Sequence, residues 1–262
     1  MSIPLFDSLS HPTISGEWFE RGVDASFSTL SKNLLDANFQ RACAVGIAGH
    51  EGYNHRDFAE HCRKHPALVS IAGVDPKETK SIEAELDTIY DLGFRGIKLH
   101  PRRSGFSYSD PRMIDTFRAA TRRGLPVFLC TYFHAPVDRY PDADPLYAIV
   151  HALKAAPDTR LVLLHGGTVE LMRWMQFARH SENILFDISY TMMQYRNSSL
   201  DQDLKWLFHN FHDRTCFGVD HPEWRHSDVR ARFEELAHQS PADSARKIGG
   251  MNIARFLGVE FE

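Results

Sequence analysis

The chain has 262 residues, 43% hydrophobic and 24% charged, with 30 basic and 34 acidic residues and a net charge of −4. Charges interspersed in this way exclude a basic nucleic-acid-binding stripe and a polybasic membrane-facing segment, and no apolar run approaches the roughly 20 residues of a membrane span. The four cysteines, Cys43, Cys62, Cys130 and Cys216, form no CxxC pair, which favours reduced thiols over a disulfide framework. The first residues lack a charged segment followed by an apolar one, so no signal peptide is read there. These features predict a soluble cytoplasmic protein with a small-molecule ligand and neither nucleic acid nor membrane as partner.

Eight short apolar runs recur along the chain: Pro4–Ser10, Ala42–Ala48, Leu68–Val74, Arg95–His100, Val127–Thr131, Leu161–His165, Ile184–Ser189 and Cys216–Asp220. Helical patterns separate most of them, at Leu30–Phe39, Asp57–His65, Ser81–Leu92, Asp110–Arg123, Pro145–Ala155, Val169–Arg179 and Leu200–Phe211. Strand then helix, eight times, argues for parallel strands joined by crossover helices. Eight strands close a (β/α)8 TIM barrel, and 262 residues is its usual size. An open doubly wound sheet usually carries an early glycine-rich phosphate turn, which is lacking here. Ser227–His238 and an extra C-terminal helix, Ala242–Leu257, follow the eighth strand, and residues 1–262 read as a single domain. The non-periodic stretches Pro12–Ser28 and Ala48–Arg56 follow early strands and are candidate site-covering loops.

In such barrels the site lies at the C-terminal ends of the strands, and side chains alternate in and out along each strand. The first strand places Asp7, Leu9 and His11 on one parity. The fourth ends in Lys98 and His100, with Arg102 beyond. The fifth ends in Cys130, with His134 beyond. The sixth ends in His165, the seventh in Asp187 and Ser189, and the eighth in Asp220. A lone histidine ending an apolar run is more often structural than functional. His11, His100, His165 and Asp220 recurring at the same end of four strands suit a metal or a general acid/base site. His50, His55 and His221 are read as loop or surface histidines.

Five segments appear in order: Gly96-Ile97-Lys98-Leu99-His100-Pro101, Leu125-Pro126-Val127, Leu164-His165-Gly166-Gly167, Phe217-Gly218-Val219-Asp220-His221-Pro222, and Ile248 to Gly258. Together they resemble the amidohydrolase superfamily, in its "amidohydrolase 2" branch of TIM-barrel hydrolases and decarboxylases. The resemblance implies a barrel and a site at its mouth, and a fold alone fixes no reaction. Two positions depart from that pattern. The first strand of the family usually ends in Asp-x-His-x-His, and here Leu9 holds the first histidine position. The fifth usually ends in a histidine, and here Cys130 does.

The metal set implied is therefore His11, Cys130, His165 and Asp220, holding one divalent ion such as zinc, since a thiolate favours a softer metal. A metal-free site fits the altered set equally well. Lys98, His100, Arg102 and His134 are the expected substrate-binding residues. Lys98 is read as uncarbamylated, binding an anionic or carbonyl oxygen or else paired with Asp7 or Asp220. The expected activity is small-molecule hydrolysis of an ester, lactone or amide, with Asp220 as general base and His165 polarising the carbonyl. Decarboxylation of an aromatic or conjugated acid ranks below it. A catalytically degenerate ligand-binding member is the third reading. Barrels of this family are often dimers or larger, so a homo-oligomer is expected.

Overall fold

The computed structural model describes residues 3–141 and 143–262. Eight parallel strands, β1 (Leu5–Ser10), β2 (Phe39–Val45), β3 (Leu68–Val74), β4 (Ile97–Leu99), β5 (Val127–Cys130), β6 (Leu161–Leu164), β7 (Ile184–Asp187) and β8 (Thr215–Cys216), pair in chain order as a (β/α)8 barrel. Between β8 and β1 the barrel is closed by the residues after β8. Ser8 N–H donates to the Phe217 carbonyl at 3.0 Å, Asp220 N–H to Leu9 at 2.7 Å, and His11 N–H to His221 at 2.8 Å.

The strand alternation predicted from sequence divides the core in two. Leu5, Ala42, Leu68, Ile97, Val127, Leu129 and Leu163 pack outward among the helices, while Phe6, Val45, Ile71, Phe128, Val162 and Leu185 fill the barrel. The helix Asn252–Leu257 and the tail beyond it join the inner cluster, and the Phe261 ring lies 5.6 Å from Phe6, near the start of β1. The chain end thus stoppers the barrel at the end opposite the strand termini. Helices begin where short polar side chains take up free backbone N–H groups. Ser81 accepts from Ala84 N–H, Asp110 from Arg112 N–H and Asp144 from Leu146 N–H, the last two with proline at the first helical position.

Several expected boundaries shift. The first helix is Phe27–Asp36, capped by Ser26, and β2 begins at Phe39. The Ala242–Leu257 pattern is three pieces, Ala242–Arg246, a π-helical Lys247–Met251 and Asn252–Leu257. β8 covers Thr215–Cys216 only. Beyond it Gly218 passes so close to β1 that a Cβ there would stand 2.7 Å from Leu9 N and 2.9 Å from Ser8 Oγ. The chain then turns through Asp220 at φ 59° and a cis His221–Pro222 bond. Among the described residues, no helix is long and apolar enough to cross a membrane.

Candidate active site

A cavity of about 250 Å³ opens at the C-terminal ends of the strands, lined by His11, His100, Arg102, Tyr132, His165 and Asp220. Trp18, Ile47, Arg103, Tyr190 and Glu223 complete its wall. Five of the residues singled out by sequence therefore share one space. The loop after β1 contributes Trp18, whose ring stacks 6.0 Å from His11 and 6.3 Å from His50. That loop is folded on itself by bridges Thr13–Ser26 and Glu17–Asp24.

Asp220 faces the cavity from beyond β8. Its left-handed backbone is costly for a non-glycine residue, and the 2.7 Å bond from its N–H to Leu9 holds it there. Among the described residues, no donor hydrogen-bonds its carboxylate, and His11 Nε2 lies 3.5 Å from Oδ1. Burial pushes its pKa up to about 7; Lys98 opposes the shift and Asp187 adds to it. The His11 ring is oriented from behind. Its Nδ1 faces the Val45 carbonyl at 2.8 Å, and a carbonyl only accepts, so the proton sits on Nδ1 and the Nε2 lone pair faces Asp220. Burial and the Lys98 charge hold its pKa well below the ordinary value, so the ring is neutral at pH 7.

His165 is set by β7. Asp187 accepts from Ser8 Oγ at 2.5 Å, from His165 N–H and Ser189 N–H at 3.1 Å each, and from Ser189 Oγ. With its own hydrogen given to Asp187, Ser189 Oγ accepts from His165 Nδ1 at 3.1 Å, and the Ser189 carbonyl lies 3.3 Å from the same nitrogen. Nε2 is therefore an acceptor as well. Burial, and then Lys98, lowers the His165 pKa to about 3. The expectation that His165 polarises a carbonyl is corrected by this arrangement, since a neutral ring with its proton on Nδ1 has none to give from Nε2. The turn that presents it runs left-handed from His165 to Thr168. Gly167 is needed in it, because a Cβ there would stand 2.0 Å from the Trp174 ring.

Lys98 and Cys130 lie beneath the cavity floor. Lys98 is 2% exposed, and its Nζ has no hydrogen-bond partner. Burial lowers its pKa, while Cys130 and Asp220 counter the shift. The expected alternative of a Lys98 ion pair with Asp7 fails because Asp7 faces away. A register shift after Asp7 turns its carboxylate outward. There it accepts from Leu9 N–H, Val219 N–H, Ser10 Oγ and the ring of His226. The shared parity expected for Asp7 and His11 breaks at that shift.

His134 does not reach the cavity, contrary to its expected substrate-binding role. Its Nε2 is 3.0 Å from Thr168 Oγ1 and its Nδ1 is 3.3 Å from Tyr140 Oη, so both nitrogens pin the loop after β5. His221 is buried, 3% exposed, instead of a surface residue. His55 sits at a helix start against Glu85, and His50 stays in its loop.

The metal set read from the sequence does not fit this arrangement. Among the described residues, no three His, Cys, Asp or Glu side chains stand close enough to hold an ion together. The Cys130 thiol is fully buried, and that burial raises its pKa. Leu9 offers no donor.

Trp18, Arg103, Tyr190 and Glu223 in the cavity wall, and Asp187 and Ser189 behind it, complete the site. The sequence brings forward three of these, Asp187 and Ser189 as strand-end polar residues and Tyr190 as an aromatic residue just past a strand end that could line a pocket. Trp18 and Arg103 lie in connecting segments, where no periodicity marks direction.

Comparison with known proteins places this architecture. A family model described as Amidohydrolase matches residues 17–259. No curated protein matches the sequence. An uncharacterised TIM-barrel protein from Bordetella bronchiseptica is similar at TM-score 0.79 and 19% identity, over 98% of this chain and 99% of that one. The 5-carboxyvanillate decarboxylase of Sphingomonas paucimobilis superposes at TM-score 0.76 and 12% identity, over 99% and 100%. A protein provisionally assigned as a 2-pyrone-4,6-dicarboxylic acid hydrolase, from Pseudomonas putida, superposes at 0.71 and 16%, over all of both chains. At these identities the likeness is one of fold.

Proposed function

The chain belongs to the amidohydrolase family, and from that premise we propose that it hydrolyses a small ester or lactone of a planar carboxylic acid, with Asp220 as general base. The observation that carries this reading is a half-buried carboxylate without a hydrogen-bond donor among the described residues, facing a cavity beside the Nε2 of a neutral histidine. A group with pKa about 7 is well matched to moving a proton at neutral pH. The cavity wall is aromatic and cationic, with Arg102 over the Tyr132 ring at 4.4 Å. Such a wall suits a flat anion. Both named neighbours are, by their names, enzymes of planar carboxylic acids.

The chain's own residues account for each step. Arg102 holds the substrate carboxylate by a charge-assisted contact. A water enters between Asp220 and the substrate carbonyl, turned so that one hydrogen points at Asp220 and the other is accepted by the Nε2 of His11 or His165. Asp220 takes a proton as the water oxygen adds to the carbonyl carbon. The oxyanion that forms is stabilised by positive charge, from Arg102 in the wall and Lys98 beneath the floor. Collapse expels the alkoxide, which recovers the proton from Asp220. The donor set does not fit a shared metal ion, so no step is routed through one.

A second reading is favoured by the same pKa. Below about pH 7 Asp220 is protonated and can deliver its proton to a ring carbon as carbon dioxide leaves. Rate against pH separates the two. Hydrolysis by Asp220 rises with pH to a plateau above about 7, and decarboxylation with Asp220 as acid falls over the same range. A panel of aryl lactones, aryl esters and hydroxylated benzoates, assayed for ring-opened acid and for carbon dioxide, tests both. Turnover that Asp220→Asn leaves intact removes the proposed base in either case.

A further inference from the structure

Beside the reaction cavity lies a second one, of about 310 Å³. Arg102 belongs to the wall of both. The second cavity is built by the helix Pro101–Ser104 and the segment after it, facing the loop after β5. Phe106, Tyr108, Phe133, Tyr140 and two prolines, Pro101 and Pro141, give it an aromatic and apolar lining. Its wall is rigidly attached to the reaction site, because Tyr108 is buried and its hydroxyl donates to the Cys130 carbonyl at 2.8 Å, at the end of β5.

Charge narrows what this second space accepts. Among the described residues, its charged lining side chains are Arg102 and Asp138. An anionic group there would meet Asp138, and a cationic one would meet Arg102, whose guanidinium already lies against Tyr132. The space therefore selects a neutral group. Its volume exceeds the roughly 150 Å³ of an apolar cavity that takes up benzene.

We infer that Arg102 divides one substrate between two chambers: the carboxylate-bearing reacting unit lies in the first cavity, and an uncharged aromatic arm of the same molecule lies in the second. Arg102 is then a specificity-determining residue. It anchors the carboxylate from one side of the divide and leaves the arm a neutral, apolar berth on the other. The inference rests on the reading of the first cavity as the reaction site, and it narrows the substrate class to planar acids carrying a second ring.

Binding tests it without requiring turnover. The full-length Asp220→Asn protein is titrated calorimetrically with benzoate, 3-phenoxybenzoate and 4-phenoxybenzoate. At least one phenoxybenzoate binds ten-fold or more tightly than benzoate. Adding Ser107→Trp, which fills the second cavity from its exposed rim, removes that gain. Equal affinity for all three acids overturns the inference, and so does a gain that survives Ser107→Trp. The comparison of acids on the Asp220→Asn protein does not depend on how the second variant folds. If the phenoxy gain is found while no ester or lactone is hydrolysed, the two-chamber site stands and the hydrolase reading falls.

Discussion

The ends of β7 and β8 each carry an aspartate, and the two are treated in opposite ways. Asp187 is fully buried and accepts five hydrogen bonds, from Ser8, His165, the Cys216 thiol and twice from Ser189. Asp220, one strand along, faces the cavity beside a neutral imidazole, and no donor reaches its carboxylate among the described residues. Donors convert a buried carboxylate into architecture, whereas their lack leaves it able to exchange a proton. The same residue type is thus tied into the architecture after one strand and left facing the cavity after the next.

Breaking the cavity-facing side has the largest effect. Asp220→Asn lowers kcat/KM by about 10²–10⁴-fold, the range for loss of a general acid or base. It leaves the melting temperature unchanged or higher, because it removes a charge that the fold solvates poorly. A parallel fall in activity and melting temperature would erase the contrast with Asp187. Breaking the tied-in side does the reverse. Asp187→Ala strands the five buried donors around it and costs about 3–5 kcal/mol in unfolding free energy, read by urea denaturation.

Protonation gives a finer test. The folded state keeps the Asp220 proton up to about pH 7, whereas an unfolded aspartate releases it near 3.8. Between those values the folded chain binds more protons, so this group makes stability fall as pH rises. His165, lowered from 6.5 to about 3, and His221, lowered to about 4, act in the opposite sense over much of that window. The difference between wild type and Asp220→Asn isolates the carboxylate. The variant's relative stability grows from pH 4 to pH 7, by about 2–3 kcal/mol, in denaturation curves taken across that range. The smallest effect is expected from Ser189→Ala, about 2 kcal/mol of stability for the two buried hydrogen bonds of its hydroxyl. It also frees His165 Nδ1 from one of its two acceptors, which shows as a shift of that ring's proton resonance.

The barrel was legible because alternation and recurrence are properties of the chain itself. Eight apolar runs punctuated by helical patterns admit few closed topologies, and His11, His165 and Asp220 were placed by lying at the same end of their strands. The altered positions Leu9 and Cys130 were legible too, as residue types that break an otherwise consistent pattern. What the sequence left out depends on contacts between distant segments. The register shift that turns Asp7 outward arises from pairing with β2. The hub role of Asp187 needs Ser8, 179 residues away along the chain. His134 was misplaced because two hydroxyls, one on Thr168, 34 residues away, and one on Tyr140 in its own loop, claim its ring.

The join between β8 and β1 carries a consequence of its own. His11 belongs to one side of that join and Asp220 to the other, and backbone bonds beyond the two-residue β8 hold the sides together. Few bonds tie a join, so its amide hydrogens are expected to trade with heavy water sooner than those between β5 and β6. Each such breathing event would change the 3.5 Å separation of His11 and Asp220. The rate at which the barrel's own stitching loosens then sets how long the two groups stay in register, and a ligand bridging them would register as slower deuterium uptake along that one line of the cylinder.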